Sequence, residues 1–168
     1  MSERNYKQLL NHIKAFIFDV DGVLTDGKLH ISEKGDLLRR MNVKDGYAMK
    51  HALNKGYRIC IISGGNNPAV LTRLEGLGIT DVYLGKESKM ESLVEFSKKN
   101  NIAFENMSYM GDDIPDLPVM KVAGLACCPQ DAVPEVKAIS NYISHRNGGD
   151  ACVRDIIEQV LKVQNNWL

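Results

Sequence analysis

Ala15-Phe16-Ile17-Phe18-Asp19-Val20-Asp21-Gly22 is an apolar run that ends on two acids and continues as Val23-Leu24-Thr25-Asp26-Gly27. An unbroken apolar run marks a strand buried on both faces of a parallel sheet, and open α/β sheets bind ligands beyond the carboxyl ends of such strands. The run therefore delivers Asp19 and Asp21 to a functional edge. Residues two apart in an extended segment point to the same side, so both carboxylates are expected at one site. Gly22 allows a positive φ or a close approach of backbone to ligand. Taken alone, the pattern reads equally well as an acidic turn that caps a strand.

Three downstream segments end in the same way. Ile59-Cys60-Ile61-Ile62 reads as a second buried strand within residues 58–63, and it ends in Ser63-Gly64-Gly65. A hydroxyl followed by glycines at a strand end, ahead of a helix, offers amide groups to an anion. Val82-Tyr83-Leu84 is a short third strand, after which Gly85-Lys86-Glu87-Ser88 leads to Lys89 and a helix through Lys98. A lysine at a helix start opposes the macrodipole and calls for a functional explanation, with Lys86 as its rival. Met107-Ser108-Tyr109-Met110 is a fourth strand, ending in Gly111-Asp112-Asp113-Ile114-Pro115-Asp116. Three carboxylates in five residues suit a hard cation such as Mg²⁺.

Between these segments the pattern predicts helices over residues 3–12, 45–55, 68–76, 131–138 and 150–163. Tyr47, Ala48, His51 and Ala52 are expected on one face of the second, with Gly56 as its stop. Gly124-Leu125-Ala126 reads as a fifth strand. Residues 28–31 and 37–43 flank a turn and predict a hairpin too small to be a cap domain. Residues 146–149, Arg-Asn-Gly-Gly, read as a flexible basic loop. Strands alternating with helices at this spacing specify a three-layer α/β/α, Rossmann-like sandwich around a mainly parallel sheet. We expect residues 1–168 to form a single domain.

Twenty-one basic and twenty-one acidic residues balance, so no overall field favours nucleic acid or an anionic membrane. No stretch approaches the roughly 20 apolar residues of a membrane span, and residues 1–12 lack the apolar core of a signal peptide. A cytoplasmic protein is expected. Cys60, Cys127, Cys128 and Cys152 form no metal or redox spacing and are read as small buried hydrophobes in a reducing compartment.

With these residues in order, the chain resembles the haloacid dehalogenase (HAD) superfamily of phosphotransferases. Its four motifs appear as Phe18-Asp19-Val20-Asp21-Gly22, Ile62-Ser63-Gly64, Lys89, and Gly111-Asp112-Asp113 with Asp116. Residues 21–27 and the late Asn147-Gly148-Gly149…Val153-Arg154 are most similar to the capless, tetrameric 3-deoxy-D-manno-octulosonate 8-phosphate (KDO 8-phosphate) phosphatases. Two departures stand out: Gly65 where the second motif commonly has Arg, and Ala151-Cys152 for a usual Gly-Ala.

The resemblance implies Asp19 as nucleophile and Asp21 as general acid and base, with Mg²⁺ held by Asp19, the Asp21 carbonyl and Asp112. Ser63, Gly64, Lys89 and Gly22 would hold the phosphoryl group, with Asp113 and Asp116 in support. It further implies a homotetramer in which Arg146 meets the substrate carboxylate of a neighbouring subunit. A nine-carbon keto-sugar acid 9-phosphate of the sialic acid or KDN type is the alternative substrate. A phospho-receiver module or a non-catalytic assembly domain are the alternatives from other classes. A receiver retains its phosphate and has no need of Asp21.

Overall fold

β1 (Ala15–Phe18) forms where the opening run predicts it, with all four residues buried. The remaining strands are β2 (His30–Ile31), β3 (Leu37–Leu38), β4 (Arg58–Ile62), β5 (Asp81–Tyr83), β6 (Met107–Met110), β7 (Leu125–Cys128) and β8 (Tyr142–Ile143). The structure is a computed structural model and describes residues 6–168, so residues 3–5 of the expected first helix lie outside the described residues. The main sheet runs β5-β4-β1-β6-β7-β8, with every neighbouring pair parallel. The chain moves outward from β1 through β4 to β5, then returns to the other side of β1 for β6, β7 and β8. That reversal makes the carboxyl end of β1 the switch point, where a crevice opens between diverging connections.

Both faces of the sheet are covered. Phe16 and Phe18 of β1 face one layer with α2 (Val43–Asn54), α3 (Pro68–Glu75) and α7 (Cys152–Val163). Ala15 and Ile17 face the other, with α4 (Lys89–Asn100), α5 (Leu117–Met120) and α6 (Pro134–Ile139). This alternation is the period-two pattern of a strand with no wet face. The three-layer sandwich is therefore present. The turn after α1 (Tyr6–Leu9) lies against α7, and just past the end of α7 Gln164 donates to the carbonyls of Leu10 and Ile13 at 2.7 and 2.9 Å. β2 and β3 pair antiparallel as the expected hairpin.

The differences from expectation are local. Ala48 and Ala52 of α2 are buried, but Tyr47 is 56% exposed, because at helical spacing it falls beside the buried stripe rather than within it. Residues 131–133 are not helical, and α6 begins only at Pro134, whose fixed φ suits the first helical position. The two residues of β8 carry too short a pattern to announce a strand, yet they pair with Cys127 and Cys128. All four cysteines are free and buried, as expected.

α2 and α7 are joined by an unusual cap. Ala151 stands at the N-cap of α7 with φ 68° and no side chain to cap it, and Asp45 of α2 supplies the acceptor, taking the Arg154 N–H at 2.7 Å. Asp45 is 1% exposed, and its second oxygen has no partner. Burial pushes its carboxyl up to about 7, with the Arg154 amide opposing and Asp150 adding repulsion. An acid whose folded pKa is raised contributes most below its unfolded value near 3.9, and loses that contribution as pH rises through about 7. We expect wild-type stability relative to Asp45→Asn to fall across this window and to level above it. Urea unfolding of both proteins measures this, and a pH-independent difference would refute it.

Candidate active site

Asp19 follows β1 directly, and its N–H donates to the Met110 carbonyl at 3.1 Å, which ties it to the neighbouring β6. Its Oδ1 accepts the Val20 N–H at 2.7 Å, and its Oδ2 lies 2.9 Å from Lys89 Nζ. Lys89 stands at the start of α4, is only 7% exposed, and reaches Asp116 Oδ1 at 2.7 Å on its other side. Asp116 is fully engaged: its Oδ1 also accepts the Tyr109 hydroxyl at 2.6 Å, and its Oδ2 the amides of Asp112 and Asp113 at 3.0 and 3.4 Å. This acid fixes the lysine. Lys86 is exposed, and of the two lysines it is Lys89 that lines the cavity with Asp19.

Asp112 is positioned differently. Its Oδ1 is buried without a hydrogen-bond partner, although the residue sits within 4.8 Å, oxygen to oxygen, of Asp19 and Asp116. An orphaned carboxylate oxygen beside a second carboxylate is what a hard cation requires, and Asp116 has no acceptor capacity to spare for it. Burial and the repulsion of Asp116 raise Asp19 to about 6, while burial and the repulsion of Asp19 raise Asp112 to about 7. A divalent cation between them offsets both causes, so the residues fit Mg²⁺. Gly22 leaves the room: its φ is +91°, and a Cβ there would overlap the Asp112 carboxylate.

The rim of the site comes from β4. Ser63 is 3% exposed and its Oγ accepts the Gly65 N–H at 3.2 Å. Bonds from Gly85 N–H to the Gly65 carbonyl and from Lys86 N–H to the Ser63 carbonyl lock this turn to the one after β5. Asp19, Asp21, Ser63, Gly64, Lys89 and Asp112 line one cavity of about 340 Å³. A larger hollow of about 880 Å³ lies between Leu9, Met120 and Ser140, and no carboxylate lines it. The carboxylates gather in the smaller one.

Over 153 residues the chain is 37% identical to the 3-deoxy-D-manno-octulosonate 8-phosphate phosphatase KdsC of Escherichia coli K12, covering 91% of this chain and 81% of that protein. The chain belongs to the KDO 8-phosphate phosphatase family. The Haemophilus influenzae KdsC is 32% identical over 158 residues, covering 94% and 88%. Residues 75–156 match the model of haloacid dehalogenase-like hydrolases. Among solved structures, the Moraxella catarrhalis KDO 8-phosphate phosphatase, in complex with magnesium ion, phosphate ion and KDO, superposes with a TM-score of 0.93 at 34% identity. It covers 96% of this chain and 93% of that one.

Within this member of the KDO 8-phosphate phosphatase family, the cavity gathers every expected site residue except Gly22, which bounds it from the backbone side, and Arg146. Arg146 lines a different hollow with Lys44, His145 and Arg154, its Nη1 3.9 Å from Asp150. The Gly-rich segment beside it is not a loose loop. Gly148 N–H donates to Asp131 Oδ1 at 2.9 Å, Gly149 N–H to the Val23 carbonyl at 2.9 Å, and the Gly149 carbonyl accepts Asn42 Nδ2 at 3.2 Å. The expectation of flexibility fails because the glycines serve close packing here: a Cβ on Gly148 would overlap the Gly22 carbonyl. Sequence reading missed two contributors, Tyr109 and Arg39. Tyr109 lay in a strand read only as core, although its polar tip demanded a buried partner.

Proposed function

We propose that the chain hydrolyses KDO 8-phosphate to KDO and phosphate in a Mg²⁺-dependent reaction, as a single HAD-like domain over residues 1–168. The observation that carries this reading is the pair of carboxylates, Asp19 beside Lys89 and Asp112 with its orphaned buried oxygen, lining one cavity of about 340 Å³. Relatives of the same fold, solved with magnesium, phosphate and KDO or with cobalt, support it.

Asp19 is assigned as nucleophile. Its carboxylate oxygen bonds to phosphorus as the bond to the sugar oxygen breaks, giving an aspartyl phosphate. Asp21 donates a proton to that leaving oxygen, then takes one from the water that attacks phosphorus and releases phosphate and free Asp19. Ser63, Lys89 and the amides of Gly22 and Gly64 hold the phosphoryl oxygens as charge redistributes. Asp19, the Asp21 carbonyl and Asp112 would hold Mg²⁺, which when bound offsets the repulsion between Asp19 and the phosphate dianion. Asp116 orients Lys89, and Asp113 caps the turn that follows, taking the Ile114 N–H at 2.7 Å.

We assign the protein to the cytoplasm on the evidence of four free buried cysteines. No helix among the described residues is long and apolar enough to cross a membrane. A homotetramer is supported by the hairpin, which exposes Leu29, Ile31, Leu37 and Leu38 at 45, 68, 42 and 53%. In such an assembly we assign the half-exposed Arg146 to the substrate carboxylate of a neighbouring copy. Gly65 leaves space where a larger residue would narrow the cavity, which favours as a second reading a nine-carbon keto-sugar acid 9-phosphate.

Phosphate release from a panel of sugar phosphates, including KDO 8-phosphate, a sialic acid 9-phosphate and neutral hexose phosphates, tests the reading. The highest kcat/KM is expected on KDO 8-phosphate. A stable phosphoprotein without turnover would point instead to a receiver. Chelation should silence the enzyme and Mg²⁺ restore it, with Asp112→Asn requiring more Mg²⁺ for half-maximal rate. Full activity in excess chelator would remove the metal from the scheme.

A further inference from the structure

Arg39 follows β3 at the base of the hairpin and reaches the active site from outside the sheet. Its Nε donates to Asp21 Oδ1 at 2.6 Å and its Nη2 to Asp21 Oδ2 at 3.0 Å, while Nη1 is braced on the Leu37 carbonyl at 3.3 Å. The Leu37 carbonyl is in turn held by Asn67 Nδ2 at 3.1 Å, so the hairpin base is fixed against the start of α3. The Arg39 side chain is 10% exposed and Asp21 is 37% exposed, so the pair lies at the lip of the cavity, one partner inside and one facing out. Gly65 borders both: a Cβ there would stand 3.3 Å from Asp21 Oδ2 and 3.5 Å from Arg39 Nη2. Gly65 itself lines the cavity, and the absence of a side chain there leaves only its backbone between the cavity and the guanidinium on that side.

This geometry conflicts with the role assigned to Asp21. A fork of two N–H groups engages both carboxylate oxygens, and a proton carrier needs one of them facing the leaving oxygen. The fork takes one acceptor site on each oxygen and fixes the plane of the carboxylate, so Arg39 must loosen before Asp21 can turn an oxygen toward the leaving group. Withdrawing an arginine from a partly buried pair is costly unless another anion replaces the partner, and exchange of one carboxylate for another is close to balanced. A sugar acid phosphate brings such an anion.

We propose that Arg39 recognises the carboxylate of the substrate, and that its transfer from Asp21 to that carboxylate frees Asp21 for proton transfer. Arg39 is then both a specificity residue and a positioning residue for Asp21. This rests on the reading that the substrate is an acidic sugar phosphate. An ester without a carboxylate binds its phosphate normally but leaves Asp21 clasped, so the enzyme discriminates through kcat as well as KM.

The test uses the full-length, Mg²⁺-loaded protein as wild type, Arg39→Lys and Arg39→Ala, assayed on KDO 8-phosphate and on glycerol 3-phosphate, with thermal unfolding as a fold check. Arg39→Ala should lose on the order of 10²-fold in kcat/KM on KDO 8-phosphate, mainly through KM. On glycerol 3-phosphate it should gain several-fold in kcat. Arg39→Lys should fall between on the acidic substrate, since an ammonium cannot form the fork. Pyruvate, which carries the α-keto carboxylate in trans, should activate wild type on glycerol 3-phosphate and leave Arg39→Ala unmoved. Equal losses on both substrates with no response to pyruvate would make Arg39 a fixed strut for Asp21 and overturn the proposal. If KDO 8-phosphate is a poor substrate while pyruvate still activates wild type alone, the substrate reading fails and the carboxylate exchange stands.

Discussion

Asp19→Asn will lose turnover by on the order of 10⁵-fold or more, yet will unfold at or above the wild-type temperature. The amide cannot attack phosphorus, and the neighbouring Asp116 cannot take over, since it is saturated by Lys89, Tyr109 and two amides. The stability half of the prediction follows from electrostatics. Burial and the nearby Asp116 raise the Asp19 carboxyl to about 6, so at neutral pH the fold carries that charge against its preference in the metal-free protein. An uncharged isostere relieves this, and Lys89 keeps its bond to Asp116. Asp21→Asn removes the proton carrier alone and should cost on the order of 10²–10⁴. Acid-quenched labelling with phosphorylated substrate should trap phosphate on wild type and not on Asp19→Asn. Turnover of Asp19→Asn within tenfold of wild type would remove Asp19 from the nucleophile's place.

Gly148→Ala should cut kcat/KM by on the order of 10²-fold although residue 148 touches no substrate. Its new methyl group would overlap the Gly22 carbonyl and stand 2.7 Å from the Gly22 carbonyl carbon and 3.0 Å from the Thr25 carbonyl oxygen. All three are backbone atoms, which yield only if the loop itself moves. That loop carries Asp21 and leaves space for Asp112, so a shift of about an ångström displaces both the proton carrier and the metal site. The Mg²⁺ requirement should rise along with the loss of rate. Gly35→Ala is the control, since a Cβ there meets nothing, although its φ of +86° brings some strain of its own. Wild-type kinetics for Gly148→Ala would mean that the segment around Gly148 merely packs nearby.

Asp19, Ser63, Lys89 and Asp112 were legible because each follows an apolar strand, and a parallel sheet aligns its strand ends without further instruction. Asp116 was legible only as an acid near the site; its service to Lys89 depends on a buried Tyr109 hydroxyl that no linear spacing announces. Arg39 was not legible at all. It stands in Leu37-Leu38-Arg39-Arg40, where one arginine meets Asp21 and the next, 89% exposed, meets Asp26, and nothing in the sequence distinguishes the two. Gly148 was misread for a related reason. Glycine signals freedom in a loop and close contact in a packed seam with the same letter.

The seam between the first site loop and the start of α7 also orders events in time. Cys152 Sγ meets the Val23 carbonyl at 3.2 Å across 129 residues of chain, and Gly149 closes on the same carbonyl. Contacts of such separation form late, after local helices and neighbouring strands have condensed. As the chain leaves the ribosome, the strands bearing Asp19, Ser63 and Asp112 emerge well before the segment that sets their geometry. A nascent chain lacking residues 147–154 should therefore bind neither metal nor phosphate with native affinity. Catalytic competence arrives with the last helix, as a property of the finished molecule.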